Sequence, residues 1–234
     1  MSDAFVYTIW ILSFALEVYI VVRSLVHKDF RRYLSLNVFV GAMAARDVAA
    51  FFVQMRYGFT SLQYTYTYYY TDALLTILMY LTIAYLYFEV FREMHFGRYV
   101  RGVTLLLLAG TALFSYAVVQ SNTDHLTGRF VVEMSQNMYF VGLVLTYLLW
   151  VAVFKLRETR ARLVQLILAL GIYFSATAAT FAFRNMFPSM HSMAEFMGPL
   201  IGALLPMAWA YTFTKVPENA RLVPQTLAGV VSHR

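Results

Sequence analysis

Seven stretches of about twenty mainly apolar residues occupy most of this 234-residue chain. A helix needs about 17–25 such residues to cross a bilayer, so each stretch is a predicted transmembrane span. The predicted spans are 4–26, 33–55, 70–91, 102–120, 131–154, 163–184 and 193–214. The sequence therefore predicts an all-α bundle of seven transmembrane helices in one domain, residues 1–215, because a lipid-exposed backbone must satisfy its own polar groups. Residues 216–234 are expected to form a short, flexible cytoplasmic tail.

The composition excludes an ordinary soluble enzyme. Hydrophobic residues make up 61% of the chain and charged residues 13%, whereas soluble domains average about 45–50% and about 25%. The mean hydropathy is +0.62. Cysteine is absent, which excludes disulfides, thiolate metal sites and S-acylation.

The cationic residues predict an orientation. Of the 18 Lys and Arg residues, fourteen lie on one side of the predicted membrane, only Arg56, Arg129 and Arg184 on the other, and Arg46 within a span. The positive-inside rule then places the N-terminus outside and the C-terminus in the cytoplasm. Basic loops on anionic headgroups also account for the net charge of +6. The expected partners are the lipid bilayer and a membrane or cytoplasmic protein, with no role for nucleic acid.

Polar side chains within the spans are the candidate ligand-binding residues, because a charge inside a bilayer is costly. They are Glu17, Arg46, Asp47, Asp72, Glu133, Asn137 and Glu195. Asp72 is expected at the start of its span, and most of the set in the outer half of the membrane. Adjacent residues point about 100° apart on a helix, so Arg46 and Asp47 are expected to have different partners, with Glu17 pairing with Arg46. Either a buried network that orients the helices or a pocket open to the outside would explain the set.

Aromatic, small and proline residues give weaker signals. The segment 61–72 contains five tyrosines, which are typical of an interfacial belt. Their alternation with threonine also fits an extended segment that crosses the mouth of the bundle. Gly198 and Gly202 form a small-xxx-small pattern that permits close helix contact. Pro199 and Pro206 predict kinks in the last span.

The sequence lacks the residue sets that well-known membrane chemistries require. The last span lacks the buried lysine of a retinal protein, and all five histidines fall in loops, tails or span edges, which excludes haem ligation. His191 and Glu195 could meet Asp124 and His125, but no H-E-x-x-H or related zinc spacing occurs. No catalytic residue, metal or cofactor is predicted, and an enzyme is not the favoured interpretation.

Three segments carry a resemblance: HKDFRRYLSLNVF after the first span, YLYFEVFREMHFGRYV at the end of the third, and Glu133 followed by Gly142 in the fifth. Together they resemble a group of uncharacterised bacterial seven-helix integral membrane proteins. A more distant resemblance is to the seven-helix input modules of bacterial membrane sensors. The resemblance implies a multi-pass protein of the bacterial inner (plasma) membrane.

Three functions remain open from the sequence. The first is a receptor-like or sensory module with an outer-facing polar pocket. The second is a structural or accessory subunit of a membrane complex, for which small-residue faces and the lack of a catalytic set are typical. The third is a small proton-coupled transporter that uses Glu17, Arg46 and Asp47, although no internal repeat supports a transporter fold.

Overall fold

Six helices make up the described part of the molecule. The computed structural model describes residues 3–27, 30–58, 61–91, 126–155, 159–186 and 191–222, together with positions 102, 106, 109, 110 and 113. The helices are α1 (Asp3–Val26), α2 (Leu34–Tyr57), α3 (Leu62–Val90), α4 (Leu126–Lys155), α5 (Ala161–Met186) and α6 (His191–Lys215). No strand occurs among the described residues; one isolated antiparallel bridge joins Arg160 and Arg221.

Helices occupy six of the seven predicted positions, which confirms the all-α class. The predicted span 102–120 lies outside the described residues apart from five positions, each with helical backbone. Five helices contain segments long and apolar enough to cross a membrane: Tyr7–Val26, Leu34–Tyr57, Leu62–Val90, Asn137–Lys155 and Ala161–Phe183. Helix α6 is not among the five found in the described residues. Apolar helices of this number indicate a multi-pass membrane protein.

The six helices pack as a closed ring in chain order, with α6 against α1. Most neighbours are antiparallel, but α1 is parallel to α6, since Arg23 near the end of α1 donates to the Phe213 carbonyl near the end of α6 at 2.9 Å. Helices α3 and α4 are also parallel, since the Tyr87 hydroxyl donates to the Leu145 carbonyl at 2.5 Å, far along both helices. Helices α1, α3, α4 and α6 thus finish, and α2 and α5 begin, at one end of the ring, which we call the basic end.

The surface of the ring is apolar where a soluble protein would be polar. Phe52, Met55, Phe154 and Tyr211 are each more than half exposed, whereas Glu17 is buried inside. The interior also holds large apolar side chains, of which the biggest fully buried ones are Trp209, Phe39 and Phe174. Apolar surface around buried charge is the arrangement that a bilayer favours, because lipid replaces water as the solvent.

Two glycines allow α4 and α5 to approach closely. A Cβ on Gly142 would lie 2.3 Å from the Phe174 ring, and one on Gly171 would lie 2.4 Å from the Trp150 ring. The close contact predicted at Gly198 and Gly202 is not formed within the described part, because a Cβ on either residue would meet no atom within 4 Å.

Candidate functional site

Three of the predicted site residues, Glu17, Arg46 and Asp47, lie within electrostatic range of one another near the middle of the ring. Asp72 shares the neighbours Tyr68 and Tyr173 with Arg46, and we call these four predicted residues the central cluster. Glu17 lies in the second half of α1, whereas Arg46 and Asp47 lie at the midpoint of α2. Asp72 lies within α3 rather than at its start, because α3 begins at Leu62 and not near residue 70. The third helix therefore begins earlier than predicted, and Asp72 lies in its first half rather than at its first turn.

Arg46 and Asp47 bond to each other. The Nε and Nη2 atoms of Arg46 donate to the same Oδ1 atom of Asp47, at 3.1 and 2.8 Å. The Asp47 side chain is only 3% exposed, whereas that of Arg46 is 31% exposed. The expectation of different partners is wrong, because helix geometry fixes the diverging Cβ directions but a long arginine stem can fold back across them. A charge-assisted pair of this kind is stronger than a neutral hydrogen bond.

Glu17 is buried without an ion pair. The residue is only 1% exposed. Its Oε1 atom accepts a hydrogen bond from the Ser13 hydroxyl at 3.2 Å. Its Oε2 atom is buried and has no hydrogen-bond partner among the described residues. Glu17 lies within electrostatic range of Asp47 and Arg46, but the predicted pair with Arg46 is not formed, because Asp47 takes the Arg46 donors.

Tyrosine side chains lie near both Arg46 on α2 and Asp72 on α3. Tyr68 and Tyr173 lie within electrostatic range of both Arg46 and Asp72. Tyr139 on α4 lies within range of Asp72 and packs edge-on against Phe174, with ring centroids 6.1 Å apart. Neither Tyr139 nor Tyr173 was singled out from the sequence, because an aromatic residue in an apolar helix gives no signal of its environment.

The tyrosine-rich segment 61–72 is helical from Leu62 onward, so the alternative of an extended segment across the mouth of the bundle is wrong. Ser61 caps α3 by accepting a hydrogen bond from the backbone N–H of Tyr64 at 3.1 Å. Threonine hydroxyls then bond back to carbonyls one turn earlier, as Thr67 does to Gln63 at 2.8 Å and Thr71 to Thr67 at 2.6 Å. These local bonds let a Tyr–Thr alternation, which resembles a strand pattern, continue as a helix.

Of the remaining predicted residues, Asn137 is the one whose side chain the structure describes. Asn137 is half-buried on α4, two residues before Tyr139. The side chains of Glu133 and Glu195 lie outside the described part of the structure, as does that of His191. Within the described residues, no three His, Cys, Asp or Glu side chains come together as a metal site. The chemistry available to the central cluster is thus that of carboxylates, one guanidinium and phenols.

A second polar group, which was not predicted, lies at the basic end. We call Arg32, Glu89, Arg160, Arg162 and Glu218 the basic-end cluster. Arg160 donates to the Glu89 carboxylate at 2.9 Å and to the Glu89 carbonyl at 3.0 Å. Glu218 forms ion pairs with Arg32 and, at 4.0 Å, with Arg162. The cavity between these residues measures only about 10 Å³, room for about one water molecule.

Arg162 holds the centre of the basic-end cluster. Its Nε atom donates to the Val216 carbonyl at 3.0 Å, and its guanidinium lies 5.9 Å from the Tyr33 ring centroid and 5.5 Å from that of Phe213. Such cation–π contacts are strongest where water is excluded. Burial raises the pKa of Tyr33, and the nearby Arg162 charge opposes that effect.

Residues 216–222, which we call the strap, belong to the predicted flexible tail but are held by hydrogen bonds. The Ala161 N–H donates to the Ala220 carbonyl at 3.1 Å, and the Leu222 N–H to the Thr159 carbonyl at 2.8 Å. Residues 223–234 lie outside the described part.

Comparisons with protein-family models, curated proteins and solved structures found no match. The functional argument therefore rests on the geometry of the two clusters.

Proposed function

We propose that this chain is a receptor-like or sensory module of a bacterial plasma membrane, in which the central cluster is the input site. The observation that carries the proposal is that Glu17 on α1 lies within electrostatic range of Arg46 and Asp47 on α2, and that Tyr68 and Tyr173 lie within range of both Arg46 and Asp72 on α3. Ionisable residues at this depth are costly and are usually retained for function. The resemblance to seven-helix sensor input modules agrees with this role.

Seven spans, with the N-terminus outside, are part of the proposal. Helices α3 and α4 are parallel neighbours, so the chain between Val90 and Leu126 must return from the basic end to the opposite end. A seventh helix over 102–120 would make that crossing. The clustering of arginines at the basic end supports a cytoplasmic location for that end.

Reporter fusions test the topology. A reporter that is active only in the cytoplasm should be active when fused after residue 215 and inactive when inserted in the 121–129 segment. Activity at both positions would mean an even number of crossings between them, so that α4, α5 and α6 could not all span the membrane. A reporter inserted in the 92–101 segment should be active, and equal activity there and in the 121–129 segment would overturn the seventh span. The reverse pattern would overturn the orientation.

A thermal-shift screen in detergent tests the input site. Small amines, neutral amides and short-chain phospholipids are added one at a time to wild type, to Asp72→Asn and to Glu218→Gln. The proposal expects at least one compound to raise the melting temperature of wild type and Glu218→Gln, and not that of Asp72→Asn. If no compound acts, or if one acts equally on all three proteins, the receptor proposal fails and an accessory-subunit role replaces it.

A proton-coupled carrier is the second candidate, because the central cluster lies at the depth where secondary transporters hold their substrates. Uptake separates the two candidates. A compound that stabilises the wild type should not accumulate in reconstituted vesicles under an imposed pH gradient if the protein is a receptor. Accumulation that is lost in Asp72→Asn would favour the carrier.

A further inference from the structure

We infer that the carboxyl group of Glu17 takes a small monovalent cation, a proton or an alkali ion, at the centre of the bundle. The inference rests on the proposed function, because it names a species that the central cluster binds. Four features support it. They are the charge balance around Glu17, the burial of its carboxyl group, the limit that this burial sets on the size of the cation, and the position of Arg46.

The charges of the central cluster do not balance around Glu17. Arg46 is the one cation that acts on Glu17 among the described residues. Both donors that Arg46 commits go to Asp47. The Ser13 hydroxyl is a neutral donor and reaches only Oε1. The Oε2 atom is therefore a buried acceptor without a donor, and a bound cation would supply the missing partner.

Burial makes an uncompensated carboxylate unfavourable here. Glu17 is 1% exposed and Asp47 is 2% exposed. An isolated ionised carboxylate in such surroundings is strongly destabilised, so it must be paired or neutralised. Asp47 adds repulsion from the α2 side, while α6, the other helix that packs against α1, contributes no described ionisable group that acts on Glu17.

The same burial limits the size of the cation. A surface that water barely reaches cannot admit an organic cation unless the helices move apart. A proton needs no such movement, and a dehydrated alkali ion, being small, needs less of it than an organic cation does. Carboxylate and hydroxyl oxygens, which Glu17 and Ser13 provide, suit either species.

Arg46 provides a charge that can compensate Glu17 when the cation leaves. Its guanidinium lies within electrostatic range of Glu17 as well as bonded to Asp47, and its side chain is 31% exposed and thus not fully enclosed. When the cation leaves, Arg46 can share its charge between the two carboxylates. Binding at Glu17 would then change the geometry of α1 against α2, which is what an input site requires.

Infrared difference spectroscopy between low and high pH tests the proton. The full chain is placed in phosphatidylcholine nanodiscs without alkali salts, and the carbonyl band of a protonated, buried carboxylic acid is followed. We expect that band in wild type and in Glu218→Gln, and its loss in Glu17→Gln. If Glu17→Gln does not fold, Ser13→Ala serves instead, because it keeps the carboxyl group but removes its hydrogen bond and should shift the band to higher frequency.

A comparison of salts distinguishes a bound alkali ion from a bound proton. At fixed high pH, sodium or potassium chloride is compared with choline chloride at equal ionic strength. A rise in the melting temperature that needs Ser13 and Glu17 and is specific to sodium or potassium identifies an alkali ion, whereas a response in the pH arm alone identifies a proton. The inference is overturned if neither arm shows an effect that depends on Glu17 or Ser13. If these effects are present but no compound acts in the ligand screen, the cation site stands and the receptor proposal fails.

Discussion

The two polar clusters contain the same kinds of side chain but differ in whether each buried carboxylate oxygen is paired with a cation. At the basic end, the buried Oε1 atom of Glu218 has no hydrogen bond among the described residues but forms an ion pair with Arg32. At the basic end, Arg160 bonds to both the carboxylate and the carbonyl of Glu89, and Arg162 has a carbonyl partner and two aromatic rings. In the central cluster, Arg46 is satisfied by Asp47, but Glu17 keeps a buried oxygen without a partner.

This difference separates structural from functional use of charge. A network whose members are satisfied stabilises one packing arrangement, whereas a partly satisfied network is unfavourable unless something else completes it. The basic-end cluster ties the beginnings of α2 and α5 to the ends of α3 and α6 through interactions already formed. In the central cluster, the Oε2 atom of Glu17 is a buried acceptor without a donor among the described residues. An uncompensated charge is most costly in the interior of a membrane bundle.

The largest expected effect is that of Arg46→Met. The substitution keeps an apolar stem but leaves the Asp47 carboxylate, 3% exposed, without its cation. Breaking a buried pair on one side costs about 3–5 kcal/mol. The free energy of unfolding, measured by denaturing-detergent titration in mixed micelles, should fall by this amount, while Arg56→Met at the exposed end of α2 should change it little. A loss no larger than in Arg56→Met would mean that Asp47 does not depend on Arg46.

Arg160→Met should have the next largest effect, and it tests the closed cluster. The change removes both bonds to Glu89, whose side chain is 11% exposed. Hydrogen bonds to charged groups contribute about 1.5–3 kcal/mol, and the nearness of the surface allows water to relieve part of the loss. In the same titration, Arg221→Met, which changes an exposed arginine of the strap, is the matched control. An equal cost for the two variants would show that the pair with Glu89 adds nothing.

The sequence predicted the helices well, and the reason is physical. Apolar stretches of membrane-spanning length leave few alternatives to a helix, so most bounds fall within a few residues of those predicted. The start of α3 was missed because Tyr64 and its neighbours alternate with threonine, and the local hydroxyl-to-carbonyl bonds that favour the helix do not show in a hydropathy pattern.

The candidate site was predicted only in part. Insertion cost marked the charged members of the central cluster, but the partner of Arg46 depends on its side-chain rotamer, which residue spacing does not fix. The pairing of Ala161 with Ala220 and of Thr159 with Leu222 joins distant parts of the chain, and no local pattern marks it. Glu218 was therefore assigned to a flexible tail.

Double-mutant cycles sharpen the contrast within the central cluster. Residues in direct contact show interaction energies of about 0.5–3 kcal/mol. Since Arg46 bonds to Asp47 and not to Glu17, the cycle of Arg46→Met with Asp47→Asn should give a coupling in the upper part of that range. The cycle of Arg46→Met with Glu17→Gln should give a coupling near or below about 0.5 kcal/mol. The opposite order would mean that Arg46 prefers Glu17 in solution and that the carboxylate of Glu17 is not available to a cation.

The smallest expected effect is that of Glu218→Gln, and its salt dependence distinguishes the two clusters. Glu218 is 30% exposed and its partner Arg32 is 51% exposed, and exposed pairs contribute about 0.2–1 kcal/mol. The strap also keeps its two backbone bonds to residues 159 and 161 in this variant. The difference in melting temperature between Glu218→Gln and wild type should therefore be small at low salt and vanish at high salt, because ions screen exposed charges. The loss in Arg46→Met should persist at high salt, because its partner Asp47 is shielded from solvent. A salt-insensitive loss in Glu218→Gln would place the ion pair of the strap among the buried interactions and remove the distinction between the clusters.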